Sequence, residues 1–266
     1  MTIELAHTRR GHGEPVVLLH GIGHRRQAYD PIINRLATKY EVFAVDMPGF
    51  GESPALPGGY AAEDVVRTLV ENFERWGIEK PHVVGNSLGG LIGLLLGQGG
   101  HARSVTGLSP AGFFRPWHLL RAAIVLLSLK LPSYGPNAVL KKTMHTRFGR
   151  LFAGWALFTY PLRHDGERYW GDTLAMKNAR AFWPMFFGTL PLSVTAPPEL
   201  TGPARVPTTI AWGDGDKLLH PRQMEVARQR MSGIECLTLR DCGHVPMSDS
   251  PDQVVYAIES TIARAS

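Results

Sequence analysis

Residues 83–90 read VVGNSLGG, which places one hydroxyl, Ser87, between small residues where a buried strand gives way to a helix. Gly85-Asn86-Ser87-Leu88-Gly89 fits G-x-S-x-G, the spacing of a nucleophile on a sharp strand-to-helix turn. Such a turn strains the serine backbone and projects its hydroxyl, and flanking glycines leave nothing to clash inside it. The helix that follows aims unpaired N–H groups at the same point, which favours negative charge there. The plainer alternative is a βα turn with an N-cap serine. A serine hydroxyl attacks only when a base takes its proton. His244, in Asp241-Cys242-Gly243-His244-Val245-Pro246 after the last strand, is the best-placed base among 11 histidines. A base of this kind needs an orienting acid. Trp212-Gly213-Asp214-Gly215-Asp216 offers two, and Asp216 is preferred because the extra residues carry it toward the histidine loop, with Asp214 second. A developing oxyanion needs two donors. One is the Leu88 N–H. The other falls in His20-Gly21-Ile22-Gly23 and is assigned to Ile22, with Gly23 as the alternative. His20 orders that loop, whereas His24 either reaches the pocket or faces solvent.

These residues need a scaffold that brings distant loops together. Short β-branched runs at 15–20, 40–46, 82–87, 105–109, 208–212 and 235–240 are apolar throughout, the pattern of strands buried on both faces. Helical patterns over 63–76, 88–98, 221–231 and 251–263 alternate with them. The alternation predicts an α/β fold, a mostly parallel central sheet with helices on both faces. In such sheets the site lies beyond the carboxyl ends of the strands. His20, Asp46, Ser87, Asp216 and His244 all fall there.

The alternation stops after Ser109-Pro110. Residues 113–197 carry helical periods and many aromatics and are expected to form an inserted helical cap, leaving 1–112 and 198–266 as the core. Pro191, Pro197, Pro198 and Pro203 mark the return to the sheet. Phe113, Trp117, Phe182, Trp183 and Phe186 are together the expected walls of a substrate pocket, although any one of them taken alone is placed more readily in the cap's own core. The run Leu119–Leu127 is expected to be a helix packed on the core rather than a lid or a dimer contact.

Composition narrows the class. The chain of 266 residues is 44% hydrophobic and 19% charged, as suits a globular protein. Two cysteines make a disulfide framework improbable, and the N-terminal stretch lacks a signal-peptide core; a cytoplasmic setting is expected. No apolar run is long enough to anchor the chain in a bilayer. No His/Asp/Cys cluster has metal-ligand spacing, and neither a phosphate-binding glycine loop nor a nucleic-acid motif is present. The expectation is no cofactor, no metal, no nucleic-acid partner and a hydrophobic small-molecule substrate. Nothing in the sequence fixes the oligomeric state. The net charge of +5 is uneven: residues 113–190 hold 11 Lys/Arg and 3 Asp/Glu, leaving 17 against 20 elsewhere. A solvated basic surface is the favoured reading, ahead of an anionic membrane surface or attraction of an anionic substrate.

HGIG at 20–23, DMPGFGES at 46–53, GNSLGG, WGDGD and DCGHVP together resemble the α/β-hydrolase superfamily, in the same order and over nearly the whole core. The chain order Ser…Asp…His is that family's order. The resemblance implies Ser87, Asp216 and His244 as the catalytic triad and the Ile22 and Leu88 amides as the oxyanion hole. Asp46 falls in a loop the family uses structurally. A serine in place of aspartate separates this chain from members resembling haloalkane dehalogenases and epoxide hydrolases. The expected function is hydrolysis of carboxylic esters of hydrophobic acyl or aromatic substrates through an acyl-enzyme. Two alternatives stand beside it. GNSLGG resembles the serine motif of the meta-cleavage product C–C hydrolases, but DCGHVP lacks their tryptophan after the histidine. Some proteins resembling the superfamily bind a small ligand without catalysis. Thioesters, lactones and amides would use the same machinery.

Overall fold

A computed structural model describes residues 3–189 and 197–265. Seven strands form one sheet: β1 (His7–Arg10), β2 (Pro15–Leu19), β3 (Glu41–Val45), β4 (His82–Asn86), β5 (Ser104–Leu108), β6 (Gly202–Gly213) and β7 (Met231–Leu239). Their order is β1-β3-β2-β4-β5-β6-β7, with β1 antiparallel to β3 and every other pair parallel. The antiparallel edge strand HTRR was not among the expected strands. It is polar and half exposed, so it lacks the apolar run that marks the others.

Alternate residues of each strand feed two separate cores. On β2, Val17 and Leu19 join one apolar cluster while Val16 and Leu18 join the other. On β3, Phe43 and Val45 divide from Val42 and Ala44 in the same way. Helices α2 (Ala62–Arg75) and α3 (Leu88–Gln98) pack on the first face through Leu69, Phe73 and Ile92. Helix α1 (Asp30–Leu36) packs on the second through Ile32 and Leu36. A layer of helices on each face is what strands with no polar side require.

Among the described residues, five α-helices lie between β5 and β6: α4 (Pro116–Lys130), α5 (Asn137–Met144), α6 (Arg147–Gly154), α7 (Gly166–Asn178) and α8 (Phe182–Thr189). The stretch 190–196, including Pro191 near the expected end of the insertion, lies outside the described residues. After the insertion come α9 (Gln223–Arg230), the short α10 (Pro246–Asp249) and α11 (Pro251–Ala263), which packs beside α1 through Val254, Ile258 and Ile262. Because the insertion leaves from the carboxyl end of β5, it stands on the same side of the sheet as the turn after β4. Helix α4 turns Ala122 and Val125 into the core cluster. Its opposite face is open, so the expectation of a packed helix describes one side of it only.

Candidate active site

Ser87 sits between β4 and α3 with φ 56° and ψ −116°, a left-handed conformation that a residue with a side chain adopts only under constraint. The constraint comes from both sides. Its N–H donates to the Leu108 carbonyl at 3.0 Å, and its carbonyl accepts from Leu91 and Ala111 at 3.1 and 3.0 Å. The glycines are needed for proximity. A Cβ on Gly85 would overlap the Gly89 carbonyl, and one on Gly89 would overlap the Leu19 carbonyl. The Ser87 side chain makes no capping bond to α3, which removes the N-cap reading.

His244 lies in the loop between β7 and α10. That loop is fixed at three points: the Asn86 amide donates to the His244 carbonyl at 2.9 Å, the Gly243 N–H donates to the Asp249 carboxylate at 2.7 Å, and the Val245 N–H donates to the Leu157 carbonyl at 3.0 Å. Asn86 also donates to the Leu108 carbonyl at 3.0 Å, so the residue beside Ser87 ties the histidine loop to the sheet. His244 Nδ1 lies 2.8 Å from Asp216 Oδ2. The other carboxylate oxygen, Oδ1, accepts from the Leu218 and Leu219 N–H groups at 2.9 and 2.8 Å. Both residues are buried. A buried carboxyl group held by two amides gives the imidazole one orientation. Asp214 instead reaches the Cys242 N–H at 3.4 Å and stays at the surface.

The loop after β2 closes over the same point. A Cβ built on Gly21 would lie 3.2 Å from Ser87 Cβ, so this loop and the Ser87 turn touch. The His24 N–H donates back to the Gly21 carbonyl at 3.2 Å, leaving Ile22 and Gly23 inside the turn. His20 holds the loop from beneath. Its Nε2 accepts from Met47 N–H at 3.0 Å, so its Nδ1 carries the proton and donates to the Gly21 carbonyl at 2.8 Å. Burial lowers its pKa to about 4, against the opposing pull of Asp46, and the ring is neutral. Asp46 serves structure: its carboxylate accepts from the Arg26 and Glu52 N–H groups at 2.6 and 3.0 Å and pairs with the Arg26 guanidinium.

Two cavities meet at Ser87. The larger, about 890 Å³ including its open mouth, also reaches Ile22, Gly23, His24 and His244. Its far walls are the apolar side chains of the insertion, among them Leu126, Leu140, Met144, Phe152 and Met176. The smaller, about 390 Å³, is bounded by Phe114, Leu119, Ala122, Ala123, Phe186 and Leu218 among others. Of the five aromatics expected at a substrate, Phe186 borders a cavity. Phe113 and Phe182 are packed within the core, Phe182 stacking on Phe186. Trp117 is 48% exposed on the outside of α4, against His118 and His220. Trp183 is half buried and donates its indole N–H to Tyr134 at 2.9 Å. Trp117 and Trp183 therefore move from the pocket to the surface of the insertion, and Phe113 and Phe182 to its base. Aromatic density marked the insertion but not which side of each helix faces Ser87.

Of the two places the sequence allowed His24, it takes the one at the larger cavity, in a polar corner whose other member, Asp172, sequence reasoning missed. The Arg25 N–H donates to His24 Nδ1 at 2.9 Å, and His24 Nε2 lies 3.8 Å from Asp172 Oδ2. Burial lowers the His24 pKa, opposed by Asp172. Asp172 also meets Arg25 at 3.2 Å and Arg168 at 3.7 Å. No local signal joins residues so far apart in the chain. Among the described residues no cluster of His, Cys, Asp and Glu could hold a metal ion.

Comparison with known proteins places this geometry. Residues 16–258 match the model of the alpha/beta hydrolase family, and the chain belongs to that family. It is 28% identical to a pimeloyl-[acyl-carrier protein] methyl ester esterase of Aeromonas hydrophila subsp. hydrophila over 94% of this chain and 96% of that one. A shorter segment, 34% of this chain and 37% of the relative, is 34% identical to an (E)-2-((N-methylformamido)methylene)succinate hydrolase of Acinetobacter baylyi. The fold is shared with a thermophilic esterase from Thermogutta terrifontis, at a TM-score of 0.72 and 21% identity over 99% of this chain and 94% of that one. This is a hydrolase of the α/β fold with esterase-type relatives at low identity.

Proposed function

We propose that the protein is a serine ester hydrolase acting on small, largely apolar esters. Ser87 attacks the ester carbonyl while His244 takes its proton, and Asp216 steadies the imidazolium that forms. The Leu88 and Ile22 amides hold the tetrahedral oxyanion. His244 then protonates the leaving alcohol, and the same histidine activates the water that releases the acid. The observation that carries the reading is the strained, uncapped Ser87 facing the same cavity as an imidazole already bonded to a buried carboxylate. The near full-length similarity to a methyl ester esterase favours esters among the acyl compounds this machinery could cleave. Two apolar cavities flanking Ser87 support a substrate with an oily group on each side of the carbonyl, under a cap formed by α4–α8.

The test is turnover of an aryl ester series graded by acyl length, with Ser87→Ala as the blank, together with labelling by a fluorophosphonate. Turnover and labelling, both lost in Ser87→Ala, are expected. Activity surviving in Ser87→Ala within about tenfold would refute the nucleophile. No labelling and no turnover would instead favour a binding protein.

A further inference from the structure

The insertion is oily on the outside as well as the inside. Of the 13 large hydrophobic side chains that stand exposed among the described residues, 12 lie between Trp117 and Phe187. On α4 and its C-cap they are Trp117, Leu120, Ile124 and Leu131, spaced i, i+3, i+7 and i+14, which places them on one side of the helix. Leu120 and Ile124 are 64% and 60% exposed. The other side carries Ala122 and Val125 into the core, so α4 is apolar on both faces while only one is covered. On α6 and its C-cap the exposed large hydrophobic residues are Phe148, Leu151, Phe152 and Trp155, at i, i+3, i+4 and i+7, with Phe148 75% exposed. Two uncovered stripes of this size are unusual on a protein surface and mark an interaction site.

Charge distinguishes the occupants. The insertion that carries both stripes also carries the surplus of 11 Lys/Arg over 3 Asp/Glu; Arg147 is exposed next to Phe148 on α6, and Lys142 is exposed on α5. A second copy of the chain would bring the same positive surface against itself. A protein partner would have to fit stripes on two separate helices. A lipid surface deforms to take both, and an anionic one matches the charge. Bulky apolar side chains beside Lys and Arg are the composition of interfacial helices. No helix among the described residues is long and apolar enough to cross a membrane, so the contact is peripheral.

We propose that the outer face of α4 and α6 docks on an anionic lipid surface. Phe152 belongs to the α6 stripe and also lines the larger cavity, so that cavity reaches this face at α6, while Leu126 and Leu129 line it from the other side of α4. Docking there brings apolar molecules dissolved in the lipid to the cavity mouth without passage through water. The favoured sequence reading of a merely solvated basic surface gives way on this point, because a solvated face does not need the two apolar stripes.

The experiment is flotation of the full chain with phosphatidylcholine vesicles and with vesicles that also contain phosphatidylglycerol. Ser87→Ala is run alongside, so that binding is read without hydrolysis. Binding to the anionic vesicles at least about tenfold above the neutral ones is expected, weakened by salt. Ile124→Glu/Phe148→Glu, at two positions that line neither cavity, is expected to lose that binding while keeping its melting temperature and its turnover of a water-soluble ester. Absence of binding to anionic vesicles overturns the proposal, as does binding unchanged in the double variant. A concentration-dependent dimer that the double variant dissolves, with no vesicle binding, overturns it in favour of a second copy. Retention on an immobilised acidic protein, with no vesicle binding, overturns it in favour of a protein partner.

Discussion

Asp216→Asn is the most informative single change, because the two carboxylate oxygens face different partners. Oδ1 accepts from two backbone amides, those of Leu218 and Leu219, while Oδ2 faces His244 Nδ1. An asparagine keeps its carbonyl oxygen on the two amides, since the reverse arrangement would set N–H against N–H at both contacts. Its NH₂ group then points at His244 Nδ1. That nitrogen must accept, so the imidazole proton moves to Nε2. The ring is now the wrong tautomer to take a proton from Ser87. A tautomer switch of this kind in a serine triad costs about 10⁴-fold in turnover, or about 5 kcal/mol of barrier. The fold should hold, because both amide bonds survive; Asp216→Ala would instead orphan two buried N–H groups and confound the result. The assay is steady-state hydrolysis of an aryl ester with the melting temperature alongside. The expected result is a collapse of kcat with KM little changed and the melting temperature within a few degrees. An Asp216→Asn enzyme within about tenfold of the parent would refute the assignment of the acid, and a larger loss in Asp214→Asn would transfer the role to that residue.

Gly85→Ala and Gly89→Ala should each lower stability by more than about 3 kcal/mol or prevent folding, since the added Cβ meets backbone oxygen rather than a movable side chain; chemical denaturation measures this, and parent-like stability would contradict the close approach. Phe186→Ala should enlarge the smaller cavity and shift the ester series toward bulkier groups on one side of the carbonyl, by about 10-fold or more in relative kcat/KM, while an unchanged ranking would remove that cavity from substrate binding. Acid should destabilise the fold through His20: with a folded pKa of about 4 against 6.5 unfolded, the unfolded chain takes up a proton first as pH falls below 6.5, so stability is full above that value and declines toward pH 4. The contribution is on the order of 3 kcal/mol, and an NMR titration that found His20 charging near pH 6.5 would contradict its neutral, double-bonded state.

Much of the fold was legible because its signals are local. Parallel strands covered on both faces read as apolar runs, so β2 to β7 and helices α2, α3, α9 and α11 could be found; α1 was not expected, and β6 and β7 begin at Gly202 and Met231, about six and four residues before their expected starts. β1 escaped because an edge strand with one wet side carries no such run. The candidate nucleophile was legible for the same reason: a turn this tight tolerates only glycine at its close contacts, and that requirement is written into five consecutive residues. His244 followed from its place after the last strand.

The sequence by itself determined which loops would crowd the carboxyl ends of the strands and which residue types they would bring. It left Asp214 and Asp216 two positions apart in one loop, and only the packing of that loop against 241–245 set Asp216 on the imidazole and Asp214 at the surface. The tertiary structure also decided which aromatics meet Ser87 and which face outward, and it joined His24 to Asp172. The physical reason is range. A glycine demanded by a turn or an alternation along a strand is enforced by neighbours a few residues away. The direction in which α4 turns Trp117 or Leu126 is enforced by elements far along the chain, and no stretch of sequence short enough to read contains them.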